Sequence, residues 1–210
     1  MSKYREDIRP EHQPRWDSGL ESVVSGDGYG AIFIYKSLAN DGCATALSQI
    51  GRIYEHGLAG VKKDFGEAIQ WYKRSIETID DLLSHLSLAR IYFQDPSLDP
   101  TRELLHYHLN LLANNEVTGG YFGLGLAYTF GIGVDENEEL ADEWFAKAEA
   151  SGHVGARLFR MKHRFLREPL RYVIPFVATS VKYHWLYFFT KNPHRLEMWD
   201  DPKGALGLSN

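Results

Sequence analysis

Nine histidines and several acid pairs are the residues in this chain whose chemistry could serve metal binding or proton transfer. His106 and His108 flank Tyr107, a spacing that on a helix points the two imidazoles away from each other. No carboxylate or cysteine is spaced to complete a ligand set with them, so a zinc site finds no support. His106 reads instead as a partly buried core residue. Asp80-Asp81 and the acidic run Asp135–Glu139 read as solvated charge at helix starts, not as a general acid–base pair. Gly123-Leu124-Gly125 holds two glycines of a dinucleotide-binding loop, but the strand that should precede it is absent. The chain contains no Gly-x-Ser-x-Gly, His-Glu-x-x-His, P-loop or kinase signature. The expectation is a protein with no catalytic residue, no metal and no cofactor.

The strongest pattern lies in Leu47–Glu77. Ile50, Gly51, Ile53 and Tyr54 fall at helical spacing, and the loop Gly57–Gly60 interrupts them. Asp64 with Glu67 is a capping box that opens a second helix carrying Ala68, Trp71 and Tyr72. Two such helices cannot bury their apolar stripes alone, so copies are needed. They are present. Asp64, Ala68, Trp71 and Tyr72 return as Asn137, Ala141, Trp144 and Phe145, while Gly51 and Tyr54 return as Gly125 and Tyr128. A degenerate copy carries Ala89, Arg90 and Tyr92, then Asp99, His106 and Tyr107. An earlier one carries Asp27, Ala31, Ile34 and Tyr35. The spacing between neighbours is about 35–38 residues, the range of helical-hairpin repeats. Aromatic recurrence at that spacing marks Trp71, Tyr72, Trp144 and Phe145 as core.

The run Leu47-x-x-Ile50-Gly51-x-x-Tyr54-Glu55-x-Gly57, continued by Gly60-Val61-x-x-Asp64-x-x-x-Ala68-x-x-Trp71-Tyr72, resembles the Sel1-like repeat, a relative of the tetratricopeptide repeat. So does Leu124-Gly125 through Tyr128, Gly131, Gly133-Val134, Ala141, Trp144-Phe145 and Gly152-His153. The opening Gly26-Asp27, Ala31 and Leu38-Ala39-Asn40-Asp41-Gly42 is similar to the start of many bacterial Sel1-repeat proteins. The resemblance covers roughly residues 18–165. The middle copy departs from it, with Gln94–Leu98 in place of the Gly-x-Gly-Val turn and Glu103 in place of the alanine. The resemblance implies an all-α fold, an α-solenoid of about four Sel1-like helix-turn-helix repeats, that binds other proteins.

Composition narrows the function further. A net charge of −5 argues against a general nucleic-acid binder. With Cys43 alone there is no disulfide framework. The N-terminal stretch has no apolar signal region, which leads to the expectation of a cytoplasmic protein, and the resemblance of the opening repeat implies a bacterial one. Residues 1–15 read as a flexible arm, 16–165 as the undivided repeat solenoid and 166–210 as an aromatic C-terminal capping helix and tail. Within the repeats, the helices are expected over 16–24, 29–39 and then in hairpins at 43–79, 82–113 and 117–152, with a lone helix over 153–165. Asp99-Pro100 reads as a helix start. Tyr172–Thr190 approaches the length of a membrane span, but Lys182 in its middle costs about 2.5–3.5 kcal/mol there. Two readings stand for this stretch. It caps the last repeat, or it docks on a membrane or a partner.

The face of the first helices in each hairpin is where a partner is expected to sit. With Leu47, Ile50, Gly51 and Tyr54 turned to the core, Thr45, Ser48, Gln49, Arg52 and Glu55 face outward. The Arg52 register recurs as Arg90, Leu126 and Lys162. Arg52, Arg90 and Lys162 are thus expected to form a basic stripe for an acidic or extended segment of another protein. Gln49 joins them. Tyr121 and Phe122 are candidate aromatic anchors, with a core role open for Phe122. The functional expectation is a non-catalytic interaction scaffold or adaptor. The alternative is a membrane-associated assembly factor, peripheral to the inner membrane through residues 167–195.

Overall fold

The same device starts the second helix of three hairpins. The N-cap side chains of Asp27, Asp64 and Asn137 accept hydrogen bonds from the amides of Gly30 at 2.9 Å, Glu67 at 3.0 Å and Leu140 at 3.0 Å. A companion device ends the first helix. Gly57 and Gly131 adopt left-handed angles, φ 63° and 60°, which a residue with a Cβ resists. The amides of Asp64 and Asn137 then donate to the carbonyls of Tyr54 and Tyr128, both at 2.9 Å. This backbone bond leaves the expected capping box half formed. With the Asp64 amide taken, the Glu67 carboxylate accepts instead from the Trp71 indole N–H at 3.2 Å.

The computed structural model describes residues 8–167, with side chains as far as residue 161. Among these residues the regular structure is helical, and the chain divides after Leu98 into two compact units. The first holds α1 (Gln13–Ser25), α2 (Gly28–Asn40), α3 (Thr45–His56), α4 (Phe65–Ile79) and α5 (Leu82–Gln94), each packed on the next. The second holds α6 (Glu103–Asn114), α7 (Thr118–Phe130), α8 (Glu138–Ala150) and α9 (Val154–Arg167), packed likewise. The helices expected within the described residues are present within a few residues of their predicted bounds.

The undivided array was expected, and the division falls inside the third hairpin, where the glycine turn is missing. A 3-10 turn at Pro96–Leu98 stands there, and Arg102 is held at φ 64°, a left-handed conformation unfavourable for a residue with a side chain. The Asp99 carboxylate accepts from the Leu105 amide at 2.8 Å, so α6 begins at Glu103 and not beside Pro100. The N-terminal arm is also shorter than expected. His12 is buried, α1 begins at Gln13, and Arg9 donates to the Asp41 carbonyl at 2.9 Å. The capping and membrane readings of Tyr172–Thr190 fall outside the described residues.

Packing inside the hairpins turns on a ring laid against a bare α-carbon. A Cβ added to Gly51 would lie 2.7 Å from the Tyr72 ring, one added to Gly125 2.5 Å from Phe145, and one added to Gly19 2.8 Å from Tyr35. All three rings are buried. The repeat register marked Gly51, Gly125 and the rings of Tyr72 and Phe145 without pairing them, and Gly19 was not anticipated. Trp71 and Trp144, expected in the core beside these rings, are only half-buried. Tyr107 is exposed, because α6 turns Leu105, His108, Leu109 and Leu112 inward instead.

The ring contact predicts the cost of filling it. Gly125→Ala should lower unfolding stability by about 1–3 kcal/mol, since helix and ring must separate to admit the methyl group. Gly66→Ala, whose methyl meets only the Asp64 carboxylate at 3.2 Å, should cost less. Urea titrations of the two variants check the difference.

Candidate functional site

The stripe proposed for a partner begins on α3, where Arg52 is exposed and Gln49 half-buried. Thr45, Ser48 and Glu55 are buried, contrary to expectation. Helix α3 packs on α4 of its own hairpin and also against α2 and α5, so it has more than one covered face. A hairpin considered by itself reveals only one.

Glu55 shows the consequence. Its side chain, 1% exposed, accepts from Arg90 Nε at 2.7 Å and Nη2 at 2.9 Å, and from the Tyr72 hydroxyl at 2.7 Å. Arg90, 4% exposed, also donates to Ser87 Oγ at 3.2 Å. A buried, bidentate ion pair thus joins α3 to α5, and the ring that fills Gly51 is hydrogen-bonded into it. Burial, reinforced by the Glu55 charge, pushes the Tyr72 hydroxyl well above the usual phenol range. Arg90 is therefore a structural residue, unavailable to an acidic partner. Helix α9 carries Lys162, whose side chain lies outside the described residues. Of the predicted stripe, Arg52 is left as the exposed cation.

The two aromatic candidates separate in the same way. Tyr121 is half-buried and stacks on Trp144 with ring centroids 6.0 Å apart. Phe122 is buried, 4.1 Å from the His153 ring and in contact with Phe145 and Phe159. It is a core residue and not an anchor. His153 also caps α9, its Nδ1 accepting from the Ala156 amide at 3.1 Å, which requires a neutral ring.

The histidines singled out for chemistry have structural partners. His106 Nε2 donates to the Ile132 carbonyl at 2.7 Å, and His108 is buried edge-on to Tyr107. No group of three or more His, Cys, Asp or Glu side chains among the described residues is placed to hold a metal ion. No described helix is long and apolar enough to cross a membrane.

Sequence reasoning missed a different set of surface residues. Lys36 of α2 lies 5.0 Å and Arg74 of α4 4.8 Å from the Trp71 ring centroid, and Lys147 lies 4.1 Å from that of Trp144. Tyr29 and Phe33 of α2 are 64% and 75% exposed. The signal was in the repeat alignment. Counted from the N-cap, Phe33 stands where the second and fourth hairpins have Gln70 and Glu143, and Tyr29 where they have Gly66 and Glu139.

Comparison with known proteins follows the same repeat register. The Sel1 repeat family model matches residues 44–77 and 119–153. The ERAD-associated E3 ubiquitin-protein ligase component HRD3B of Arabidopsis thaliana is 27% identical over 105 residues, half of this chain and 16% of that protein. Chitin synthase regulatory factor 3 of Schizosaccharomyces pombe is 28% identical over 126 residues, 59% of this chain and 13% of that protein. The chain thus spans less than a fifth of either relative. The crystal structure of a Sel1 repeat protein from Oxalobacter formigenes superposes with a TM-score of 0.62 at 22% identity, covering 79% of this chain and 72% of that one.

Two outcomes test the electrostatic account. Arg90→Met leaves the Glu55 carboxylate buried without its counter-ion and should destabilise the protein by about 3–5 kcal/mol in urea unfolding. The double variant Glu55→Leu/Arg90→Met should recover most of that loss. His85 gives a pH signature. Burial pushes its imidazole below the ordinary value of 6.5, against the opposing pull of Asp80 and Asp81. The unfolded chain then takes up this proton at a higher pH than the fold does. Stability from this group is present above about pH 6.5 and is lost as the pH falls below it. The drop in urea midpoint between about pH 7.5 and 5.5 should therefore be smaller in His85→Gln than in the parent.

Proposed function

The chain is a Sel1-like repeat protein, and we propose that it serves as a non-catalytic scaffold or adaptor holding another protein against the solvent face of its first helices. Sel1 repeats mediate protein–protein interaction. The names of the two relatives, a ligase component and a regulatory factor, support a role inside larger assemblies. The observation that carries the reading is Arg52. It is exposed on α3 with no carboxylate among the described residues paired to it, beside the half-exposed Gln49, while its helix is held from below by Tyr72 and by the Glu55–Arg90 pair. A charge on such a rigid support loses little entropy on binding. The partner we propose presents an acidic or extended segment to this face. In the second unit, the half-buried Tyr121, stacked on Trp144, is the aromatic candidate for partner contact.

The test is cross-linking in cells followed by affinity measurement with the captured partner. Arg52→Glu should weaken binding roughly tenfold and flatten its salt dependence, because a surface charge acts mainly on electrostatic association. Capture and salt response unchanged in that variant would remove Arg52 from the interface.

A further inference from the structure

In the first unit, the second helices of two neighbouring hairpins carry a surface that their repeat pattern does not require. On α2, Tyr29, Phe33 and Lys36 follow one another at helical spacing and share a face. On α4, Glu67, Trp71 and Arg74 do the same. Lys36 reaches across to the Trp71 ring at 5.0 Å, so the two stripes lie side by side. Tyr54, in the last turn of α3, has its hydroxyl pushed up by burial and by the nearby Glu67, Tyr29 and Asp64.

Three features of this surface call for an occupant. Phe33 is 75% and Tyr29 64% exposed. The equivalent positions, Gln70 with Glu143 and Gly66 with Glu139, are exposed and carry polar side chains or glycine, so the fold itself asks for no aromatic group there. Finally, Lys36 and Arg74 both lie on the Trp71 indole, with neither paired to a carboxylate among the described residues. The nearby Glu67 carboxylate is engaged by the indole N–H at 3.2 Å. Two like charges are thus held against one ring, with an exposed phenylalanine one turn away. Aromatic and cationic side chains clustered in this way are the residue types that dominate binding hot spots.

We propose that the α2–α4 face is a second docking surface, separate from the Arg52 face. Its occupant is an acidic peptide segment of another protein, with a carboxylate between Lys36 and Arg74 and an adjacent apolar side chain on Phe33. The charge order along the face, acidic at Asp64 and Glu67 and basic at Lys36 and Arg74, fixes the direction in which the segment lies. This surface does not depend on the reading of Arg52.

The experiment pans a phage-displayed random-peptide library against the full chain, then measures binding of the synthesised enriched peptides by fluorescence anisotropy. Peptides combining Asp or Glu with a neighbouring Phe, Leu or Trp are the expected enrichment. Phe33→Ala should weaken them by tenfold or more, and Lys36→Glu/Arg74→Glu should abolish binding. Arg52→Glu should leave them unchanged. Because Phe33 is exposed, its replacement should not alter the circular dichroism spectrum or the urea midpoint, which separates lost binding from lost fold. Four results would overturn the proposal. They are no enrichment, enrichment of basic peptides, binding indifferent to Phe33→Ala, and loss of binding in Arg52→Glu. Sedimentation velocity adds one more: self-association abolished by Phe33→Ala would make the occupant a second copy of this chain.

Discussion

An aromatic ring pressed onto a bare α-carbon recurs in three hairpins, and much else in the protein is arranged around it. Tyr35 on Gly19, Tyr72 on Gly51 and Phe145 on Gly125 bring two helices closer than any side chain at those glycines would allow. That approach fixes which face of each second helix turns inward. It also explains why the turns are so strictly built. The left-handed glycines at Gly57 and Gly131 and the backbone bonds from Asp64 to Tyr54 and from Asn137 to Tyr128 set the angle at which ring meets glycine. Where the turn chemistry fails, between Gln94 and Glu103, the chain divides into two units.

The middle hairpin contact carries a polar extension that the others lack. Tyr35 and Tyr72 both end in buried hydroxyls, and while that of Tyr35 has no hydrogen-bond partner among the described residues, that of Tyr72 is given an acceptor. Glu55 supplies it, and the buried carboxylate in turn requires a counter-charge, which Arg90 provides from α5. A packing requirement between two helices thereby becomes an electrostatic link to a third. Phe145 has no hydroxyl, and the second unit instead packs its ring against Phe122 and Phe159, with Phe122 in turn stacked on His153. Arg160 ties α9 to α8 there, through Asp142 at 3.0 Å and Glu149 at 2.7 Å. The same geometric constraint has been met by an ion pair in one unit and by stacked rings in the other.

Positions outside the ring contact are free to diverge, and function has to be sought among them. The half-exposed Trp71 and Trp144 lie one residue before the core rings and collect cations at their faces. Phe33 and Tyr29 occupy sites that are polar or glycine elsewhere. Repetition alone does not separate core from surface, because Trp71 recurs as faithfully as Tyr72. Departure from the repeat at an exposed position is the more informative signal.

The helices, their order, the caps at Asp27, Asp64 and Asn137 and the recurring positions Gly51, Gly125, Tyr72 and Phe145 were legible in the sequence. These features are local, or they recur at a fixed spacing, and either property can be counted along a chain. The fates of Arg90, Glu55 and Phe122 were not legible. Each lies on a helix face covered by a neighbour outside its own hairpin, and hairpin periodicity carries no information about that neighbour. Arg52 and Arg90 share a register, yet one faces water and the other is buried against Glu55. Only the tertiary structure decided between them, because burying a charge depends on where its counter-charge lies, and that is set by packing rather than by spacing.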